Sequence, residues 1–153
     1  MSSATTTRKP RFNHVAMSLP SALLDATHRD EIVRFYQDVF GWEEQPVMTL
    51  DGKRLVLSAY TYEQFVFLVA DDPPMECPRL DHFGISVATE AELDGMLERA
   101  RAYAERDDRV EIVDKKTDDH GILAITSFYV RYLLPMMVEV QWWDFKGAAR
   151  PGG

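Results

Sequence analysis

Two histidines occupy the same place in two copies of one nine-residue phrase. Arg11-Phe12-Asn13-His14-Val15-Ala16-Met17-Ser18-Leu19 returns, conservatively rewritten, as Arg79-Leu80-Asp81-His82-Phe83-Gly84-Ile85-Ser86-Val87. A neutral imidazole is a common metal ligand and a proton carrier near neutral pH, so an equivalent pair has chemistry open to it that a lone histidine lacks. A carboxylate, Glu139, interrupts the apolar run Met136-Met137-Val138-Glu139-Val140. A carboxylate without a partner is costly to bury in a sheet, which favours a ligand role or a solvated cleft for it. Two imidazoles and one carboxylate on one side of a cation fill half the coordination sphere of Fe(II) or Mn(II) and leave adjacent positions open. That set forms only if the fold brings His14, His82 and Glu139 together.

The elements that must position them also repeat. Period-two alternation makes each phrase a short strand, with Val15, Met17 and Leu19 on one face and His14, Ala16 and Ser18 on the other. After the first strand, Thr27-His28-Arg29-Asp30 starts a helix whose apolar stripe Ile32, Phe35, Tyr36, Val39 and Phe40 stops at Gly41. Three strands are expected at about 42–49, 54–59 and 64–70, with Asp51-Gly52 as a hairpin turn. The Pro-rich stretch 71–78 reads as a linker. The order then recurs: strand from 79, a helix opened by the capping-box pattern Thr89-Glu90-Ala91-Glu92, and strands at about 110–114, 122–132 and 137–143. The expected class is therefore α+β: two βαβββ modules, 11–70 and 79–143, in one domain, with a cleft between curved mixed sheets and the helices outside. Residues 1–10 read as a disordered N-terminus and 144–153 as a flexible tail.

Composition narrows the function classes. A net charge of -8 opposes nucleic acid and anionic lipid, and no apolar run reaches bilayer length, so neither nucleic acid nor membrane is an expected partner. Cys77 is alone and builds neither a disulfide nor a paired-cysteine zinc site within one chain. A chain of 153 residues buries a sufficient core without a metal staple, so a metal here serves chemistry; the cytoplasm is the default compartment.

The duplicated module, with a histidine on the first strand of each copy, Glu139 on the last, and the phrases Phe35-Tyr36 through Phe40-Gly41-Trp42 and Leu80-Asp81-His82, resembles the vicinal oxygen chelate superfamily. That group includes glyoxalase I, methylmalonyl-CoA epimerase, extradiol dioxygenases, fosfomycin-resistance enzymes and metal-free bleomycin-resistance proteins. The resemblance implies His14, His82 and Glu139 as metal ligands and a small-molecule substrate, and it implies a homodimer. Phe67 aligns with Glu139 in the first module, where related enzymes supply a fourth ligand; phenylalanine cannot ligate, and the nearby alternative Gln64 falls on the other strand face unless a bulge intervenes, so three protein ligands are preferred over four, with Phe67 lining the substrate space. His120, Phe128-Tyr129, Pro135 and Glu139 are similar in spacing to the extradiol ring-cleavage signature, which implies catalytic roles for His120 and Tyr129. Alternation puts Arg131 on the face of Tyr129, where it would pair with an anionic substituent. The chain departs from that signature at Tyr132 and Leu133, and Phe67 stands near where the dioxygenases carry a separate acid–base histidine. The leading expectation is an Fe(II)- or Mn(II)-dependent enzyme acting on a catechol-like substrate with two adjacent oxygens. The alternatives are an isomerase or lyase using the metal as a Lewis acid, and a metal-free protein that binds a small planar ligand.

Overall fold

The structure, a computed structural model, describes residues 9–151. Residues 1–8 of the expected N-terminal stretch and 152–153 of the expected tail lie outside the described residues. In chain order the elements are β1 (His14–Leu19), a 3-10 turn (Ser21–Leu24), α1 (Ala26–Phe40), β2 (Glu43–Glu44), β3 (Arg54–Ser58), β4 (Phe65–Ala70), β5 (His82–Val87), α2 (Glu90–Ala104), β6 (Val110–Asp119), β7 (Ala124–Tyr132) and β8 (Met137–Asp144). No helix among the described residues is long and apolar enough to cross a membrane.

Local chemistry sets the helix ends. The Asp25 carboxylate accepts from the backbone N–H groups of Thr27 and His28 and so caps α1, two residues before the start that the sequence suggested. Gly41 closes the helix at φ 72, a backbone state that costs glycine little, and returns its N–H to the Gln37 carbonyl. At α2 both halves of the expected capping box form between Thr89 and Glu92.

β1 and β5 begin three residues later than the repeated phrases, at His14 and His82, and β2 and β6 differ most in length from the sequence expectation. β2 is only Glu43–Glu44, because after Gln45 the chain passes Pro46 and turns, with the N–H groups of Met48 and Thr49 both returning to the Gln45 carbonyl. β6 runs on to Asp119 past an irregularity between Val113 and Lys116; the polar stretch after Asp114 carries no apolar alternation, yet pairs with β7 as far as Asp119↔Ala124.

The modules build two four-stranded mixed sheets of identical topology, β1-β4-β3-β2 and β5-β8-β7-β6. Each has its first strand parallel to its last, and antiparallel pairs elsewhere. The registers match as well. His14 lies opposite Phe65 and Ala16 opposite Phe67, while His82 lies opposite Met137 and Gly84 opposite Glu139. Phe67 is thus the structural counterpart of Glu139, as the alignment of the two copies indicated.

One core serves both modules. Met17, Leu19, Leu55, Leu57, Val66 and Leu68 face inward from the first sheet, Phe128, Val130, Tyr132, Val138 and Val140 from the second, and all belong to one cluster with the apolar stripes of both helices. Helix α1 crosses to the second module: the buried Tyr36 hydroxyl donates to the Tyr132 carbonyl at 3.0 Å and accepts from the Tyr132 N–H at 3.3 Å. Burial pushes that hydroxyl far above the ordinary phenol range. Arg99 of α2 returns the contact, with two guanidinium nitrogens on the Val39 carbonyl at 2.9 and 3.1 Å. The stretch 71–78 contains no helix or strand and is tied to both modules, through Met75 N–H to Ser18 Oγ at 2.7 Å and Cys77 Sγ to the Pro135 carbonyl at 3.0 Å.

Because the shared core takes the even-numbered positions of β7 and the odd-numbered positions of β1, the opposite faces are left open. His14, Ala16, Phe65 and Phe67 lie on the open face of the first sheet; His82, Gly84, Glu139 and Tyr129 lie on that of the second. His14 and the His82–Glu139 pair thus stand on the open faces of different sheets, and among the described residues they do not gather into one group.

Candidate metal centre

His82 enters β5 with its ring orientation fixed. Nδ1 lies 2.8 Å from the Leu80 carbonyl oxygen, which only accepts, so Nδ1 carries the proton and Nε2 is left to face the sheet. Nε2 is 3.2 Å from Glu139 Oε2. An imidazole nitrogen and a carboxylate oxygen, both electron-pair donors, are thereby placed close enough to ligate one cation. Glu139 is 7% exposed, and Gly84 beside it presents no side chain, so one side of the carboxylate stays open.

Three further side chains complete the face. Gln141 Nε2 donates to Glu139 Oε2 at 2.9 Å, and Trp143 Nε1 donates to Gln141 Oε1 at 2.9 Å. Tyr129, directly opposite Glu139 on β7, meets the His82 ring edge-on at a centroid distance of 5.0 Å. Burial first, and then the adjoining Glu139 carboxylate, raises the Tyr129 hydroxyl above its ordinary value, so it stays a hydrogen-bond donor at neutral pH.

His14 repeats the preparation of His82 on the other sheet. Its Nδ1 lies 2.8 Å from Asn13 Oδ1, its ring stacks on Phe65 at 5.0 Å and 7°, and Nε2 is again the free nitrogen. It does not meet the other two. Among the described residues no three His, Cys, Asp or Glu side chains gather as a metal-holding group.

The remaining sequence candidates separate. Phe67 lies on the first sheet's open face, two residues along from the ring under His14. Arg131 shares the Tyr129 face but is occupied: Nη2 is 2.5 Å from Glu111 Oε2 and Nη1 3.2 Å from the Pro135 carbonyl. Burial alone would raise the Glu111 carboxyl, yet Arg131 and Arg79, which also contacts it, outweigh that and hold it below the usual carboxylate range. His120 stands in the exposed β6–β7 turn. Ala124, at the near end of β7, is five residues from Tyr129, roughly 17 Å at strand spacing, and His120 lies beyond it. Within the chain His120 is therefore not part of the His82–Glu139 cluster. Trp143 reads from the sequence as core or cleft wall and Gln141 is given no role by it, although alternation from Glu139 places both on its face.

Neither a protein-family model nor a curated protein matches the sequence. Solved structures do match over nearly the whole length. Lactoylglutathione lyase from Agrobacterium tumefaciens superposes with TM-score 0.59 at 20% identity, covering 87% of this chain and 93% of that one. The fosfomycin resistance protein FosX from Listeria monocytogenes gives 0.58 at 17%, covering 94% and 95%. A glyoxalase/bleomycin resistance protein/dioxygenase from Nocardioides gives 0.59 at 16%, covering 97% and 92%. The chain has the vicinal oxygen chelate fold. Within that fold the His82–Glu139 pair occupies one module's open face and His14 the equivalent strand of the other. The vicinal oxygen chelate fold thus accounts for the duplicated registers.

Proposed function

We propose that the chain is a divalent-metal-dependent enzyme acting on a small substrate with two adjacent oxygens, its metal centre formed by His82 and Glu139 of one copy and His14 of a second. The observation that carries this reading is the His82 ring: its Nδ1 is committed to the Leu80 carbonyl while Nε2 faces a nearly buried carboxylate at 3.2 Å. Ligating histidines are characteristically held in this way, by an acceptor on the other ring nitrogen. His14 has the same preparation, and the open face around it is apolar through Phe65 and Phe67, which suits burial against a second copy. An Fe(II) or Mn(II) ion there supplies Lewis acidity and open coordination positions. The chain's own groups bind and orient: Gly84 leaves room beside Glu139, and the Tyr129 hydroxyl offers a donor to a substrate oxygen.

Ring cleavage of a catechol-like substrate is the reading supported by Tyr129, which lies opposite Glu139 and against His82. The place of His120 in the exposed β6–β7 turn, away from the His82–Glu139 pair of its own chain, removes one residue of the ring-cleavage spacing and favours the second reading, an isomerase or lyase. Oxygen uptake separates the two. Protein loaded with Fe(II) is expected to consume oxygen in step with catechol loss; metal-dependent turnover of a substrate with adjacent oxygens and no oxygen uptake selects the isomerase or lyase. Protein that takes up less than about a tenth of an equivalent of added Fe(II) or Mn(II) contradicts both.

A further inference from the structure

We infer that Trp143 is a positioning residue for Glu139, acting through the side-chain amide of Gln141; this rests on the metal reading above. Glu139, Gln141 and Trp143 stand two residues apart along β8, so all three project from the open face as a row. An indole N–H donates and never accepts. Its position 2.9 Å from Gln141 Oε1 therefore decides which end of the amide is oxygen, and the NH2 end is left to face Glu139 Oε2, also at 2.9 Å. With the amide reversed, its oxygen would stand against the carboxylate and repel it. Trp143 itself is braced: Phe145 stacks on it at 6.1 Å and 24°, with the Arg150 guanidinium 5.3 Å over the Phe145 ring. The row thus fixes the rotamer of a ligand carboxylate and saturates one of its lone pairs, leaving the rest for the cation. The outer partners of metal ligands act in this manner.

Trp143→Phe keeps the ring and its contact with Phe145 and removes only the donor. In Mn(II) titrations of the full chain, Trp143→Phe is expected to weaken binding about tenfold, and Gln141→Ala by a similar factor. The double variant is expected to bind no more weakly than Gln141→Ala, because Trp143 has nothing left to act through. Wild-type affinity in Trp143→Phe, or losses that multiply in the double variant, would overturn the inference. A second readout needs no metal: the Gln141 side-chain NH2 resonances should move in Trp143→Phe, and unchanged resonances count against the relay. If the wild-type protein binds no Mn(II), the metal reading fails, and the amide resonances alone decide whether Trp143 orients Gln141.

Discussion

Glu139→Gln is expected to lower Mn(II) or Fe(II) affinity by roughly 100-fold or more while changing the stability of the metal-free protein by less than about 1 kcal/mol. The two halves of that result follow from the same geometry. Glutamine keeps the volume of the side chain and its capacity to accept from Gln141, but removes the charge and replaces one carboxylate oxygen with an NH2 group that cannot ligate. The His82 side chain is 38% exposed, so losing its charged neighbour leaves it in contact with water and adds little cost. The contrary result is equally definite. If His82 and Glu139 were a structural ion pair, the substitution would leave metal affinity unchanged and destabilise the fold by about 3 kcal/mol, as breaking a buried pair does. Isothermal titration and denaturant unfolding of the same sample separate the cases.

Phe35→Ala is expected to cost about 3–5 kcal/mol, a large part of the stability of a domain this size. Phe35 is fully buried and touches three rings from both modules: Tyr36 edge-on at 4.9 Å, Tyr103 edge-on at 5.0 Å, and Tyr132 stacked at 4.6 Å. Truncation leaves a cavity between α1, α2 and β7, which rigid aromatic neighbours cannot fill. The denaturation midpoint should fall with little change in slope if the two modules unfold as one unit. A loss below about 1 kcal/mol, or a transition that splits in two, would mean that the modules are stabilised separately and that this shared core does not fix one open face relative to the other.

Much of the fold was legible because the chain repeats itself. The phrase around His14 and His82 predicted equivalent strands, and pairing Phe67 with Glu139 anticipated a register that the two parallel strand pairs reproduce. Gly41 and the Thr89–Glu92 box marked helix ends through local chemistry. Less was legible where a strand depends on its neighbour: β6 continues past Asp114 through pairing with β7, and no apolar alternation signals that. Arg131 was placed on the correct face, yet its partner Glu111 lies on the adjacent strand across from it, a register that no local pattern discloses. The relation between the two histidines was the least accessible. Alternation states which residues share a face and is silent on what that face meets, so it put His14 and His82 on equivalent surfaces without revealing that His14 and the His82–Glu139 pair do not meet within one chain.

The central claim, that one centre draws on two copies of the chain, is tested most directly by subunit mixing. His14→Ala and Glu139→Ala are each expected to abolish Mn(II) binding when alone. Refolded together, they should yield a heterodimer with one intact site, assembled from His14 of one chain and the His82–Glu139 pair of the other. That species should bind about one ion per dimer. Mixed protein that forms the heterodimer and still binds no metal, while the wild type binds it, would contradict the account.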